Sequence, residues 1–405
     1  MTSIHWLSGA IIILCLTASR IALASELVIV LSWDGLRHDY LDVADFPALQ
    51  RMADNGVRSK LIPGYPSDTF PGHIMMATGA DISVHGIVSN AFIDRETGYH
   101  AYSNNASLIR AEPLWVTAER QGKKAAVYFW PGSETAWQGT AATYRMAPFD
   151  NDRAESEKVT KMLNWIDLPA ADRPSLIMSY WRGADTEAHI KGPLHADVIA
   201  SLQVQDQELG RLIDAIEQRG LWPDTTLFVV ADHGMSEVNN NILVSAALEE
   251  AAVSARVVGG SSMKRIFLSD QDQLAAALST LRDLEGLDVF AGAEIPPALR
   301  HPGRTGDILV TTRPPNELDI DNSFLGRLRR AVMPLMGWGT GAHGYHPSEP
   351  DMAATFLALG AGVSPETELD SVHQKQLAPT IAALLGIAPP LSASQAPLAL
   401  TGGAR

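Results

Sequence analysis

Aspartate, histidine and threonine side chains that could bind metal ions or attack a substrate recur along the chain, mostly beside turn-forming residues. Asp185 and His189 are four residues apart, so one helical turn would let both hold a single cation. Oxygen and imidazole ligands without sulfur suit Zn²⁺, with Mn²⁺ or Fe as alternatives. The candidate metal ligands are Asp34, Thr69, Asp185, His189, Asp232, His233 and His343.

Thr69 lies in a loop rich in turn formers, residues 64–73, just ahead of a helix opened by Pro71. The positive end of such a helix would face a bound anion, so the Thr69 hydroxyl is a candidate nucleophile. The alternative is an ordinary N-cap, because threonine often begins helices. Three aspartates and three histidines divide naturally into two metal sites. Two cations about 4 Å apart would activate the hydroxyl and stabilise a phosphoryl group during in-line displacement.

The elements that must position these residues are short apolar runs, each followed by an acidic residue. Such runs predict buried parallel strands, and in open α/β sheets ligands bind at the carboxyl ends of the strands. Three such ends predict one shared site, although each aspartate alone could simply cap a turn. The runs are residues 27–31 before Asp34, 176–180 before Asp185, and 227–230 before Asp232 and His233.

Helical and strand patterns alternate along the rest of the chain. Residues 198–219 and 376–385 have the apolar spacing of amphipathic helices, and residues 57–62 and 125–129 are typical of strands. We therefore predict an α/β fold, a doubly wound and mostly parallel sheet flanked by helices, within a single catalytic domain of residues 25–405.

A small β-α-β lobe is predicted as an insertion at about residues 240–330. Its strand patterns lie at residues 255–268 and 307–311, and its helix at residues 272–284. Proline pairs at positions 296–297 and 314–315 bound it. We assign no catalytic residue to this lobe.

Composition and charge exclude several classes of protein. The single cysteine, Cys15, rules out a disulfide framework and a thiolate metal site in a mature chain that lacks it. The formal net charge of −15 disfavours nucleic acid polymers and anionic membrane faces as partners. Residues 1–24 are typical of a secretory signal peptide with an A-x-A cleavage pattern at positions 22–24, which predicts export, to the bacterial periplasm. An uncleaved N-terminal anchor is the alternative, and the mature chain has no predicted membrane span.

Six short segments, in order along the chain, resemble the motifs of the nucleotide pyrophosphatase/phosphodiesterase (type I phosphodiesterase) family of the alkaline phosphatase superfamily. Their order, together with their span from Asp34 to His343, makes the resemblance specific. They are residues 30–35 (VLSWDG), 65–73 (YPSDTFPGH), 85–90 (HGIVSN), 185–189 (DTEAH), 231–235 (ADHGM) and 341–345 (GAHGY).

The resemblance implies an alkaline phosphatase-like core and an enzyme with two Zn²⁺ ions and a phosphoryl-threonine intermediate on Thr69. It also implies that Asn90 donates a hydrogen bond to a phosphoryl oxygen, for which the alternative is a turn residue. The division of ligands that it implies is Asp34, Asp232 and His233 for the ion that activates Thr69, and Asp185, His189 and His343 for the other.

Two aromatic residues are similar to the family's nucleobase slot, Phe70 and Tyr180, although Tyr180 could equally end a buried strand as core packing. The family usually has acidic residues just before position 185, where this chain has Trp181 and Arg182, so these two residues are candidates for contact with a different ligand. His73 and His346 are assigned no metal.

The leading hypothesis is an exported phosphodiesterase or nucleotide pyrophosphatase with a small-molecule phosphodiester or nucleotide substrate. One alternative is a phosphomonoesterase or phosphonate hydrolase built on the same ligands. Another is a non-catalytic periplasmic binding protein, against which the presence of all seven expected ligands counts. The sequence does not indicate the oligomeric state.

Overall fold

The computed structural model describes residues 25–319 and 339–401. The predicted signal peptide and the C-terminal end of the predicted lobe, residues 320–330, lie outside these ranges. The strands are β1 (Leu27–Trp33), β2 (Val57–Ile62), β3 (Ala91–Asp94), β4 (Gly98–Ala101), β5 (Ala125–Tyr128), β6 (Tyr144–Met146), β7 (Leu176–Trp181), β8 (Thr225–Val230), β9 (Ser236–Val238), β10 (Asn240–Ile242), β11 (Ala255–Gly259), β12 (Met263–Leu268), β13 (Leu287–Ala291), β14 (Ile308–Thr312), β15 (Asn316–Leu318), β16 (Thr340–Ala342), β17 (Ala354–Gly360) and β18 (Ser371–His373).

The α-helices of the described residues range from single turns to one of 23 residues. They are α1 (Tyr40–Val43), α2 (Pro47–Asn55), α3 (Thr69–Thr78), α4 (Ile82–His85), α5 (Leu114–Arg120), α6 (Glu155–Ile166), α7 (Asp185–Lys191), α8 (Ala196–Gln218), α9 (Val244–Glu250), α10 (Leu274–Arg282) and α11 (Leu377–Leu384).

The main sheet has eight strands among the described residues, in the order β18-β2-β17-β8-β1-β7-β5-β6. Strand β1 pairs in parallel with both β7 and β8, and its seven residues are all buried. Strand β17 is antiparallel to β2 and β8, whereas the other strand pairs of this sheet, among the described residues, are parallel. The predicted doubly wound α/β sheet is confirmed.

Helices flank the sheet in two groups, one containing α2, α6 and α8 and the other α3, α5 and α11. Helix α8 buries one face, including Leu202, Leu209, Ile213 and Ile216, because these apolar residues recur at three- and four-residue spacing. Its observed start, Ala196, is two residues before the predicted one, at an N-cap where His195 accepts a hydrogen bond from the Asp197 N–H.

The lobe differs from the predicted single β-α-β unit. It contains a four-stranded antiparallel sheet in the order β11-β12-β14-β13, and helices α9 and α10 share a separate hydrophobic core with it. The run predicted as one strand is two, because the chain turns at Gly259. This glycine has φ of 143°, and a Cβ there would lie 2.3 Å from the Met263 carbonyl oxygen.

Candidate active site

Three aspartates extend from the carboxyl ends of three neighbouring strands. Asp34 directly follows β1, Asp185 begins α7 after β7, and Asp232 follows β8 after one residue. Because β1 lies between β7 and β8 in parallel register, these three strand ends meet at one edge of the sheet. The structure therefore brings together three carboxylates that are up to 198 positions apart in the sequence.

Thr69 is the first residue of α3, and Asp68 occupies the N-cap position without a capping side-chain hydrogen bond. The Thr69 side chain is therefore free of the capping role and turns toward the aspartates and histidines. Its Oγ1 atom lies 3.4 Å from Nε2 of His233. The hydroxyl stands at the positive end of a ten-residue helix, where an anion is stabilised.

One group of candidate ligands consists of Asp185, His189 and His343, whose ligand atoms lie within 4.8 Å of one another. Nε2 of His189 is 3.2 Å from Asp185 Oδ1, and Nε2 of His343 is 3.6 Å from the same oxygen. The other nitrogens of both rings donate to backbone oxygens, Nδ1 of His189 to Gly341 at 2.7 Å and Nδ1 of His343 to Ser67 at 3.0 Å. Because Nδ1 is the donor in each ring, the neutral form of each imidazole would present an unprotonated Nε2 to the carboxylate.

A second group adjoins the first. His233 Nε2 is 3.3 Å from Asp34 Oδ1 and 3.3 Å from Asp232 Oδ2, while its Nδ1 donates to the Gly234 carbonyl at 2.8 Å. The His233 ring stacks on the His343 ring with centroids 3.7 Å apart. Asp34, Asp185 and His233 also lie within 4.8 Å by their ligand atoms, so Asp185 stands between the two groups.

The carboxylate oxygens at the centre of this cluster accept no hydrogen bond from the described residues. Asp34 Oδ1, Asp185 Oδ1 and Asp232 Oδ2 are all buried and without a partner of this kind. Carboxylate oxygens and ring nitrogens thus face one another at 3.2 to 3.6 Å, an arrangement that costs free energy unless a proton or a metal cation lies between them. This donor set fits divalent cations, with Zn²⁺ favoured by the imidazoles.

The pKa shifts within the cluster also indicate that its buried carboxylates need a nearby positive charge. Burial, with the charges of Asp232 and Asp185, raises the pKa of Asp34 well above its ordinary value, and burial raises the pKa of Asp232 to about 7. Burial alone would lower the pKa of His343, but the Asp68 carboxylate, 3.4 Å from its Nδ1, and the charge of Asp185 raise that pKa to about 9. A bound cation would allow the carboxylates to remain ionised and the imidazoles neutral.

Asn90 is held against the start of α3. Its Oδ1 accepts a hydrogen bond from the Phe70 N–H at 2.8 Å, and its backbone oxygen accepts one from Tyr102 N at 2.8 Å. The amide nitrogen is the only donor of this side chain, and the bond to Phe70 N–H, which Oδ1 accepts, does not use it. Asn90 lines the same cavity as Thr69.

Tyr180 is 8% exposed, packs in the core and also lines the cavity. Its hydroxyl donates to Asp34 Oδ2 at 2.7 Å, a bond that the sequence did not predict. Phe70 is half-buried, and its ring meets that of Tyr102 edge-on with centroids 5.8 Å apart.

The cavity at this site has a volume of about 260 Å³ and two different halves. The strand-end residues form one half. Irregular segments form the other, and no motif marked them, because a loop residue shows no periodicity. Tyr102 and Phe129 have φ of 45° and 61°, a backbone region that is rare for aromatic residues. The cavity residues missed from the sequence are Tyr102, Asn104, Phe129, Pro131, Phe149, Asn151 and Thr186.

A family model described as type I phosphodiesterase / nucleotide pyrophosphatase matches residues 28–345. The chain belongs to this family. The predicted resemblance is thus confirmed, and the members are named for the hydrolysis of phosphodiester and pyrophosphate bonds.

Several family members align over most of this chain. It is 29% identical over 380 residues to a venom phosphodiesterase of Naja atra, covering 89% of this chain and 44% of the relative. An uncharacterized pyrophosphatase/phosphodiesterase of Schizosaccharomyces pombe is 30% identical over 351 residues, covering 82% and 71%. Ectonucleotide pyrophosphatase/phosphodiesterase family member 3 of Bos taurus is 27% identical over 381 residues, covering 89% and 42%. The chain spans less than half the length of the venom and bovine relatives.

Solved structures of the family share the fold. Murine ectonucleotide pyrophosphatase/phosphodiesterase 5, in an inactive form in complex with AMP, aligns with a TM-score of 0.80 at 23% identity, covering 90% of this chain and 96% of that one. The human counterpart aligns with the same TM-score at 22% identity. Among the described residues, we find no helix with the length and apolarity needed to cross a membrane.

Trp181, a candidate for ligand contact from its departure from the family pattern, does not line the cavity. The Trp181 side chain is fully buried. Its ring stacks on that of Trp33, with centroids 5.3 Å apart and planes 10° apart, because the two residues are register partners on β7 and β1. Arg182 is half-buried, and its N–H donates to Glu155 Oε1 at 3.1 Å.

The two histidines that were assigned no metal lie in different surroundings. His73 is buried, and its Nδ1 donates to the Thr69 carbonyl at 2.7 Å, so it supports the first turn of α3. His346 packs edge-on against Tyr65 and hydrogen-bonds to Ser348 on the exposed surface.

Proposed function

We propose that the protein is a metal-dependent phosphodiesterase or nucleotide pyrophosphatase that uses Thr69 as its nucleophile. The observation that carries this proposal is the set of three buried carboxylate oxygens that accept no hydrogen bond from the part of the chain that the structure describes, gathered beside a hydroxyl at a helix start. Membership in the family supports the reaction class.

Two divalent cations, of which Zn²⁺ best suits the donor set, would lower the pKa of a nearby hydroxyl and neutralise charge on phosphoryl oxygens. The structure favours Asp34, Asp232 and His233 as the group around the ion beside Thr69, because His233 Nε2 lies 3.4 Å from the hydroxyl. Asp185, His189 and His343 would hold the other ion.

In this proposal the Thr69 oxygen attacks phosphorus and the bond to the leaving oxygen breaks in line. Water then hydrolyses the phosphoryl-threonine and regenerates the hydroxyl. The start of α3 favours the negative charge of the phosphoryl group, and the amide of Asn90 donates to one of its oxygens. An amide adds no charge, which suits the single negative charge of a diester.

The aromatic half of the cavity favours a substrate with a planar ring, such as a nucleotide. Tyr102, Phe129 and Phe149 form this half, and the rings of Phe70 and Tyr180 adjoin it. Stacking on aromatic side chains stabilises a bound base by roughly 1 to 3 kcal/mol in single-strand binding proteins. We propose that the protein is exported, on the basis of residues 1–24. We also propose that its net negative charge disfavours nucleic acid polymers as substrates.

The test compares hydrolysis of bis-p-nitrophenyl phosphate with that of p-nitrophenyl phosphate by the purified protein, before and after treatment with a chelator. We expect faster hydrolysis of the diester, loss of activity with the metal, and recovery when Zn²⁺ is returned. A preference for the monoester would contradict the diesterase proposal. Turnover of neither compound by protein that holds two metal ions would favour a binding protein instead.

A further inference from the structure

The aromatic half of the cavity is built from three segments outside helices and strands. They contribute Tyr102 and Asn104, Phe129 and Pro131, and Phe149 and Asn151. We call the rings of Tyr102, Phe129 and Phe149 the aromatic wall. Ring contacts alone do not fix the positions of these side chains, because edge-to-face pairs tolerate a range of angles. Phe149 is 39% exposed and meets Phe129 and Tyr180 with ring centroids 5.3 and 5.8 Å away. The position of its backbone therefore needs another constraint.

Glu134 supplies a polar connection among all three segments. Its Oε1 accepts a hydrogen bond from the Asn104 side-chain amide at 3.0 Å and another from the Phe149 N–H at 2.7 Å. The Asn104 Oδ1 in turn accepts from Gly132 N at 3.2 Å, so the amide lies across the 131–134 turn. One carboxylate oxygen thus joins the segments of Tyr102 and Phe149 to its own.

We propose that Glu134 is a positioning residue that sets the spacing of the aromatic wall and so determines the affinity for substrates with a planar ring. Glu134 does not line the cavity itself and acts through Asn104 and Phe149. The inference rests on the proposed function, because it assigns the wall to the organic part of a phosphodiester.

The chemistry of the two bonds defines a sharp pair of variants. Both donors need only an acceptor oxygen, so Glu134→Gln keeps both bonds through its amide oxygen. Glu134→Leu has no acceptor and leaves the Phe149 N–H and the Asn104 amide to find water. The loss of two such bonds corresponds to roughly a tenfold change in an equilibrium constant.

Glu119 provides a matched control elsewhere in the fold. Its Oε1 likewise accepts two hydrogen bonds, here both from backbone N–H groups, of Ala125 at 2.8 Å and Thr143 at 2.7 Å, and Glu119 is half-buried like Glu134. Neither Ala125 nor Thr143 lines the cavity. Glu119→Leu therefore reports what the loss of such a connection does to the fold alone.

The kinetic test uses two diesters with the same leaving group, the p-nitrophenyl ester of thymidine 5′-monophosphate and methyl p-nitrophenyl phosphate. For Glu134→Leu we expect about a tenfold rise in KM for the thymidine ester with kcat nearly unchanged. The kcat/KM for the methyl ester should stay within about twofold. Glu134→Gln and Glu119→Leu should resemble the wild type on both esters. An equal loss on both esters, no loss on either, or failure of Glu134→Gln to restore KM would overturn the inference.

Calorimetric binding of thymidine 5′-monophosphate separates this inference from the proposed function. A tenfold weaker affinity in Glu134→Leu, restored in Glu134→Gln, would support the role of Glu134 even in a protein that hydrolyses neither diester. That combination would reject the phosphodiesterase proposal alone. Rapid turnover of both diesters with identical nucleotide affinity in all variants would reject the role of Glu134 alone.

Discussion

The Tyr180 hydroxyl donates a hydrogen bond of 2.7 Å to Oδ2 of Asp34, while Oδ1 of the same carboxylate accepts none from the described residues. The bond fixes the rotation of the carboxylate and leaves one oxygen directed at His233 Nε2, 3.3 Å away. Lys158 donates a hydrogen bond of 3.0 Å to the backbone oxygen of Tyr180, so the tyrosine is itself held in place. Tyr180 thus acts as the support of a proposed metal ligand.

Tyr180→Phe tests this relationship, because the substitution removes the hydroxyl and keeps the ring. We expect metal affinity to fall about 10- to 100-fold, as is typical when a group that orients a ligand is removed. Competition with a chromogenic chelator measures this change. Tyr144→Phe is the control, since its hydroxyl donates at the surface to the Asp172 carbonyl. Equal metal affinity in the Tyr180 variant and the wild type would show that Asp34 is oriented without the tyrosine.

The strand ends were predictable from the sequence because buried parallel strands have continuous apolar runs, and Asp34, Asp185 and Asp232 follow such runs. The aromatic wall was not, since Phe149 and Glu134 meet only through the tertiary structure. Trp181 shows the opposite error. Its departure from the family's usual acidic residues suggested a ligand contact, whereas the alternation of side chains along β7 directs it into the core against Trp33. The sequence predicted too few strands in the lobe, in part because a turn at Gly259 divides an apparently continuous strand into β11 and β12.

Thr69→Ala should abolish turnover of diesters, by at least about 10³-fold in kcat, because it removes the proposed attacking oxygen. Metal content should stay near two ions per chain, since the aspartates and histidines remain. Elemental analysis and diester hydrolysis measure the two quantities on the same sample. Thr69→Ser keeps a hydroxyl at the same atom and should retain measurable activity. An alanine variant as active as the serine variant would show that another group is the nucleophile.

Asn90 offers two variants that separate its two contacts. Asn90→Asp keeps an oxygen to accept from Phe70 N, yet it removes the amide donor and adds a negative charge near the phosphoryl group. Asn90→Ala removes both contacts. If the amide donates to the phosphoryl oxygen, both variants should lose about 10²- to 10³-fold in kcat. Activity that survives in Asn90→Asp and falls only in Asn90→Ala would mean that Asn90 serves the start of α3 alone.

Two adjacent ion pairs connect the β3-β4 hairpin to the segment before β14, and they differ in burial. Arg304 is fully buried, and its Nε donates to Asp94 Oδ2 at 2.8 Å, while its Nη1 donates to the carbonyls of Gly86 and Leu108. Arg95 is half-exposed, and its Nη2 donates to Asp307 at 2.7 Å. Similar partners in different surroundings allow the effect of burial to be measured.

Arg304→Met should lower the free energy of unfolding by about 3 to 5 kcal/mol, because the buried Asp94 loses its hydrogen-bonded cation and keeps only the half-exposed Arg110, 3.8 Å away. Arg95→Met should lower it by only about 0 to 1 kcal/mol, since water screens and replaces the exposed pair. Urea denaturation followed by tryptophan fluorescence measures both changes. Because the Gly86 carbonyl lies four residues before Asn90, the Arg304 variant should also lose diester turnover before it unfolds, whereas the Arg95 variant should not. Equal destabilisation by the two substitutions would contradict the view that the buried pair fixes the lobe to the segment that carries Asn90.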